Sequence, residues 1–214
     1  MKADCTVIVF AKAPQAGFAK TRLIPALGEK GAAQLAEHLL AWSIDQACKA
    51  HIGPVELCCT PDATHAAFER MKHLQRSYGL RLTVQGDGDL GQRMARALRR
   101  VLLAQRAAIL IGTDAPGLDA AYLRSARAGL ADHDAVFGPA TDGGYTLVGL
   151  KQPADELFQG INWSTPQVMA QTRQRLTQLG LHGRELPALS DIDEPADLAH
   201  LPADWLSFFE PELK

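Results

Sequence analysis

Residues 85–94 read QGDGDLGQRM, a glycine run with G-x-G-x-x-G spacing at Gly86, Gly88 and Gly91. It follows Leu80 to Gln85, which has strand character, and leads into Gly91 to Ala104, which has helical periodicity. Strand, glycine turn and helix in that order can seat a pyrophosphate on the helix N-terminus, as in a dinucleotide-binding turn. Here two of the three variable positions are Asp87 and Asp89, carboxylates that repel the group such a turn must hold. The stretch also follows the third strand-like segment, not the first. An NAD(P)-dependent oxidoreductase therefore rests on spacing alone and is the remote alternative. An uncharged group suits the stretch better. Gln85 offers a donor and an acceptor to a base edge, Gly86 allows close backbone approach, and Asp89 can accept from ribose or base donors. The competing structural reading is a connector in which Asp89 caps the following helix.

Short β-rich runs alternate with amphipathic patterns along the rest of the chain. Strands are expected at Thr6 to Ala11, Val55 to Cys59, Leu80 to Gln85, Ala108 to Gly112, Ala135 to Gly138 and Tyr145 to Leu150. Helices are expected from about Lys30 to Ala50, Gly91 to Ala104, Asp119 to Leu130 and Thr165 to Leu179. The first is the clearest, with Ala36, Leu39, Leu40, Ser43, Ile44, Ala47 and Cys48 on one face. The alternation predicts a mostly parallel sheet covered on both faces, with right-handed crossovers. Ligands of such sheets lie beyond the carboxyl ends of the strands, which directs attention to residues 12–25, 86–91 and 113–117.

With 214 residues, 47% of them hydrophobic, the chain is long enough to bury a substantial core. Residues 1–205 are expected to form a single domain and residues 206–214 a C-terminal tail. A formal net charge of -2 supplies no global positive field for nucleic acid or an anionic membrane surface. No apolar run approaches the roughly 20 residues of a membrane span. Met1 to Thr6 lead straight into a strand-like segment and not a signal peptide, so the chain is expected to be cytoplasmic. Cys5, Cys48, Cys58 and Cys59 form no C-x-x-C, and Cys58 and Cys59 would point to opposite strand faces, so buried thiols are expected. The composition leaves the oligomeric state open.

The loop FAKAPQAGFAKTRLIPAL after the first strand gathers Lys12, Lys20 and Arg22 around Gly17, with Pro14 and Pro25 as stiffeners. Cations so concentrated at a strand's carboxyl end suit a di- or triphosphate better than a solvated surface loop. It is not a P-loop, because Ala19 stands where glycine must precede the lysine. In IGTDAPGL, Asp114 is a natural hard ligand for Mg²⁺ or Mn²⁺, and an Asx-turn or helix cap is the plainer alternative. GPATDGGYTLVGL places Asp142 before Gly143 and Gly144, consistent with close ligand approach or with an ordinary hairpin. LSDIDEPADL offers Asp191 and Asp193 before a short helix that Pro195 can open, as a completed metal site or as N-terminal charges. G-x-S-x-G is absent, and the seven histidines form no H-x-x-x-H or H-E-x-x-H arrangement.

Taken in order, VFAKAPQAGFAKTRLIPAL, QGDGDLGQRM, IGTDAPGL, GPATDGGYTLVGL, INWSTPQV and DIDEPADL resemble the nucleotide-diphospho-sugar transferase superfamily. The closer resemblance is to the bacterial radical-SAM/selenodomain-associated, glycosyltransferase-like transferases, and AKTRL is similar to a segment of the phospholactate guanylyltransferases. The resemblance implies a GT-A fold, a three-layer α/β sandwich with a mostly parallel mixed sheet, Rossmann-like in character. It implies a metal-dependent transferase that moves a nucleotidyl or glycosyl group from a nucleoside triphosphate or nucleotide sugar to a small-molecule acceptor. By the same resemblance, Lys12, Gly17, Lys20 and Arg22 hold the donor's phosphates and Gln85 and Gly86 its base, with Ala11, Pro14, Asp89 and Gly91 also expected to bind the nucleotide. Asp114 binds Mg²⁺ or Mn²⁺ with Asp193, and Lys20, Arg22 and Asp114 carry catalysis. Asp142, Gly143, Gly144, Tyr145, Trp163 and Ser164 form the acceptor side. Ala115 replaces the second acid of a D-x-D, which motivates the alternative of a non-catalytic nucleotide-binding protein on the same scaffold.

Overall fold

The computed structural model describes residues 5–74 and 78–206; residues 1–4, and residues 207–214 of the expected tail, lie outside the described residues. Its strands are β1 (Thr6–Lys12), β2 (Val55–Thr60), β3 (Arg81–Val84), β4 (Ala108–Ile111), β5 (Ala135–Pro139), β6 (Tyr145–Leu150) and β7 (Gly183–Glu185). They form one seven-stranded sheet in the order β3-β2-β1-β4-β6-β5-β7. β1 pairs in parallel with β2 and β4, β2 with β3, and β5 with β7, while β6 runs antiparallel between β4 and β5. The helices are α1 (Ile24–Lys49), α2 (Ala66–Leu74), α3 (Leu90–Leu102), α4 (Ala120–Gly129), α5 (Val168–Leu179) and α6 (Ala203–Leu206). The expected α/β sandwich with a mostly parallel mixed sheet is the observed architecture.

Strand alternation divides the core into two layers. Val7, Val9 and Ala11 join a cluster with Leu40 and Ile44 of α1, Phe68 of α2 and Leu123 of α4. Ile8 faces the other way, into a cluster with Leu98 and Val101 of α3 and Met169 and Leu176 of α5. Cys59 belongs to the first layer and Cys58 to the second, as their adjacency on a strand requires. Each fully buried Leu, Ile or Phe contributes roughly 1.5–3 kcal/mol of transfer free energy, so the two layers together fix the sheet between them. A third cluster joins Leu23, Leu35 and Leu39 to Ile192, Leu201 and Trp205. It fastens the late DIDEP segment beside the first loop.

Three of these helices and strands were not expected: α2, β7 and the four-residue α6. α2 is short, and among its described side chains Ala67, Phe68 and Met71 are buried, too few apolar positions for its period to stand out. β7 is three exposed residues added at the sheet edge, with no alternation to read. α1 begins earlier than expected because residues 24–27 make a turn before Gly28, whose φ of 70° and ψ of 168° break the helix. α5 starts at Val168, after the expected Thr165, because residues 164–167 form the turn that leads into it.

The sheet order also determines where a ligand can sit. After β1 the chain moves outward to β2 and β3, and β4 then returns on the other side of β1. Loops leaving β1 and β4 therefore diverge, opening a crevice at the carboxyl ends of the strands.

All four cysteines are buried. Burial, helped by nearby Asp45, pushes the Cys48 thiol up to about 11, and burial pushes Cys59 up to about 12 and raises Cys58. Because the thiolate is the reacting species, these groups stay protonated at pH 8. In native protein at that pH, Cys48, Cys58 and Cys59 should remain unlabelled by iodoacetamide in peptide mass spectra and become labelled in denaturant. Rapid native labelling at any of the three would contradict the packing described.

Candidate functional site

Lys20 occupies the crevice between β1 and β4. Its backbone is left-handed (φ 48°, ψ 45°), an uncommon conformation for a residue with a side chain, just before a 3-10 turn at Thr21–Leu23. That conformation accompanies an inward course of the side chain, which is only 6% exposed. Nζ donates to the Ile192 carbonyl at 2.5 Å and lies 2.7 Å from Asp114 Oδ1 and 3.9 Å from Asp193 Oδ1. Arg22 Nη1 pairs with Asp193 Oδ2. The Ile192 N–H donates to the Asp114 carbonyl at 2.8 Å, so one buried residue binds both the loop after β4 and the lysine of the loop after β1.

Around this knot lies a cleft of about 790 Å³ whose walls include Lys12, Lys20, Arg22, Arg93, Asp114 and Asp142. It continues into a pocket of about 300 Å³ past Asp114, lined among others by Asp142, Tyr145, Trp163, Ser164, Asp191 and Asp193. The cleft is cationic on the β1 side and acidic on the β6 side. Lys12 Nζ donates to the Phe18 carbonyl at 2.8 Å, and the Phe18 ring stands 61% exposed at the cleft wall.

QGDGDLGQRM serves mainly to build the wall. Gln85 is 4% exposed, and its Nε2 donates to the carbonyls of Ala11 (3.2 Å) and Cys58 (3.1 Å). Its Oε1 accepts from Arg93 Nη1 at 3.0 Å, so the amide expected to read a base edge instead braces β1, β2 and α3. Asp89 Oδ1 accepts from the Gln92 N–H while Gln92 Oε1 accepts from the Asp89 N–H, a reciprocal cap at the start of α3. The structural reading of Asp89 is thus the observed one. Gly91 packs against the Trp163 ring and the Phe158 carbonyl, where any Cβ would come within 2.7 Å of both. Gly86 carries the Arg96 guanidinium above it, and Arg96 donates to the carbonyls of Gln85 and Asp87.

Other expected contacts are withdrawn from the cleft. The Ala11 side chain lies in the core, and Pro14 is buried. Gly143 (φ 94°) faces the Pro166 backbone, where a Cβ would lie 2.2 Å from the carbonyl oxygen, and its own carbonyl accepts from the Met169 N–H. It docks the β5–β6 hairpin onto the start of α5. Gly144 lines the smaller pocket and donates to Asp142 Oδ1 at 2.8 Å. Ser164, at φ 61°, carries the NWST turn in a left-handed conformation at the junction of the two spaces.

Arg93 and Phe18 were not anticipated. Arg93 falls inside the glycine-rich stretch, four residues after the Asp89 cap, and helical spacing from that cap would have pointed to it. Asp191 was noted but ranked behind Asp193, yet it faces the acidic pocket. Burial, then the negative charges of Asp142 and Asp114, hold its carboxyl above the usual range, with Lys20 acting in the opposite sense. Among the described residues, no three histidine, cysteine, aspartate or glutamate side chains converge as a preformed metal site. No helix among them is long and apolar enough to cross a membrane.

A profile of the family described as "uncharacterized protein conserved in bacteria (DUF2064)" matches residues 43–165, more than half of the chain. Among curated protein sequences none gives a significant match. Among solved structures, the chain is similar to a protein from Desulfovibrio desulfuricans G20 assigned as a nucleotide-diphospho-sugar transferase. The two share 26% identity with a TM-score of 0.79, over 89% of this chain and 82% of that one. The 4-diphosphocytidyl-2C-methyl-D-erythritol synthase of Anaerococcus prevotii shares 10% identity and a TM-score of 0.61, over 96% of this chain and all of that one. A Methanothermobacter nucleotidyl transferase shares 13% identity and a TM-score of 0.58, over 96% and 99%. The fold is that of nucleotide-using transferases.

Replacing Lys20 with methionine keeps the buried stem and removes the donor to Ile192. An unanswered buried carbonyl costs about 1–3 kcal/mol. The ion pair to the half-exposed Asp114 contributes no more than about 1 kcal/mol. Urea melts of Lys20→Met, Asp114→Asn and the double variant should therefore show a loss at position 20 with weak coupling to position 114. Strong coupling would mean that the ion pair, not the carbonyl, holds the loops.

Proposed function

The chain belongs to the bacterial DUF2064 family, and we propose that it is a nucleotide-dependent transferase whose donor phosphates lie along Lys12, Lys20 and Arg22. The observation that carries this reading is the buried Lys20 ammonium, set beside two carboxylates where the loops of β1 and β4 part, with further cations on the same wall. The same segments that resemble the radical-SAM/selenodomain-associated transferases underlie a finer membership there.

Nucleotidyl transfer is the version we favour. The acceptor's hydroxyl oxygen attacks the α-phosphorus of a nucleoside triphosphate, the bond to the bridging oxygen of pyrophosphate breaks, and the hydroxyl proton passes to solvent. Lys12, Lys20 and Arg22 offset the charge on the departing pyrophosphate, and fixed cations of this kind act most strongly where water is excluded. The exposed Phe18 stands beside the space left for ribose and base. Asp114, with Asp193, supplies hard carboxylate oxygens suited to Mg²⁺ or Mn²⁺, and the pair already brackets one positive charge. The ion would supply charge neutralisation at the phosphates. Glycosyl transfer is the second reading, supported by the assignment of the Desulfovibrio relative. In it the same cations meet a departing nucleoside diphosphate.

Exchange of labelled pyrophosphate into nucleoside triphosphates, run across the four bases with Mg²⁺ and with Mn²⁺, tests the first version. Exchange with one or more nucleotides is expected, falling by about 10²–10³ in Lys20→Met and Asp114→Asn. Release of nucleoside diphosphate from a nucleotide sugar without exchange would establish the second. Calorimetry showing nucleotide binding indifferent to divalent metal and to Asp114→Asn, with no turnover, would leave only a binding protein.

A further inference from the structure

The pocket past Asp114 contains two carboxylates that no cation answers and one hydroxyl without a hydrogen-bond partner among the described residues. Among the described residues, no lysine or arginine lines it. Of its four carboxylates, Asp114 and Asp193 are answered by Lys20 and Arg22. Asp142 and Asp191 have no cation at ion-pair distance among the described residues; the side-chain hydrogen bond of Asp142 is to the Gly144 N–H. Tyr145 lines the same pocket, its ring set edgewise to Phe137 and Trp163, and its buried hydroxyl has no hydrogen-bond partner. The nearby N-terminus of α5 supplies little positive field, because the Val168 and Met169 N–H groups are taken by the carbonyls of Thr165 and Gly143.

We propose that the acceptor is a small polyhydroxylated molecule without a phosphate or carboxylate, bound in this pocket by Asp142, Asp191 and the Tyr145 hydroxyl. The inference rests on the donor reading above, which assigns the phosphates to the opposite, cationic wall. A phosphorylated acceptor would place its dianion against two unpaired carboxylates with no side chain to offset them. A polyol answers all three groups at once: its hydroxyls donate to the carboxylates and accept from Tyr145, and its carbon skeleton lies against Met94 and Trp163. The unpartnered phenol is the most specific of these signs, since a buried hydroxyl with no partner costs stability unless a ligand completes it.

Saturation-transfer NMR on the full chain tests this with matched probes: glycerol, glucose and myo-inositol, each beside its monophosphate. At least one uncharged member should bind, with its phosphate at least about tenfold weaker. Asp191→Asn should weaken that binding about tenfold, and Tyr145→Phe about three- to tenfold. The midpoint of thermal unfolding of Tyr145→Phe should be unchanged or higher, because the free protein loses no hydrogen bond; a purely structural tyrosine would lower the midpoint and leave binding intact. Preference for the phosphates, no binding by any probe, or full affinity in both variants overturns the inference. So would Mn²⁺ relaxation of solvent water that disappears in Asp191→Asn, which would make Asp191 a metal ligand. Calorimetric nucleotide affinity of the same protein separates the two failures. Loss of the donor reading shows as no nucleotide binding, whereas a wrong acceptor class leaves that binding in place.

Discussion

The Lys20 ammonium is where three loops converge, and the arrangement follows from sheet order. A parallel sheet that reverses its direction of growth between β1 and β4 leaves a crevice there, and polar backbone in a crevice must be satisfied. Lys20 reaches in from the first loop to the Ile192 carbonyl, and the Ile192 N–H reaches on to the Asp114 carbonyl. Ile192 can serve this way because its side chain is anchored among Leu23, Leu35 and Trp205. An apolar cluster far along the chain thereby positions a charged group near its start. Without that anchor, the loops of β1 and β4 would share only a half-exposed ion pair, which is too weak to fix their relative placement.

The strand-and-helix alternation was legible because short apolar runs and period-3.6 patterns survive in single segments. β1, β2 and β4 are buried on both faces and read as short apolar runs, the body of α1 buries one consistent face, and Cys58 and Cys59 divide between the layers as adjacent strand residues must. α2 and β7 were not legible, since each is too short to complete a pattern. At the site, residue type foretold placement better than partner. Lys20, Arg22 and Asp114 were singled out by charge at strand ends, and they do come together. Gln85 and Gly91 were singled out for ligand contact, and both are occupied within the protein. Glycine spacing reports that backbone is closely approached, without saying whether by a ligand or, as at Gly91, by a tryptophan.

The two aspartates of QGDGDLGQRM argue against a pyrophosphate turn on charge, and the fold supplies a further reason. Asp89 spends its carboxylate on the first turn of α3, and Gln92 closes the cap from the other side. Two of the N–H donors at this helix start, those of Asp89 and Gln92, are therefore already used. What the stretch adds to the cleft is Arg93, held in place through Gln85 and the Asp89 carbonyl. The segment thus reinforces a cationic wall created elsewhere.

Charge is segregated across the cleft in a way that follows from the same topology. The β1 loop brings lysine and arginine to one side, while the β5–β6 hairpin and the late loop bring Asp142 and Asp191 to the other. Asp114 stands at the boundary and belongs to both spaces. Opposite walls so charged favour opposite ligands: polyanionic phosphate on one and hydrogen-bond donors without negative charge on the other. The two ligands must then meet near Asp114, where Lys20 already supplies a positive charge beside the carboxylate. In the transfer proposed above, the reacting groups meet at this boundary, because the group in transit leaves an environment built for anions and joins a partner held by carboxylates.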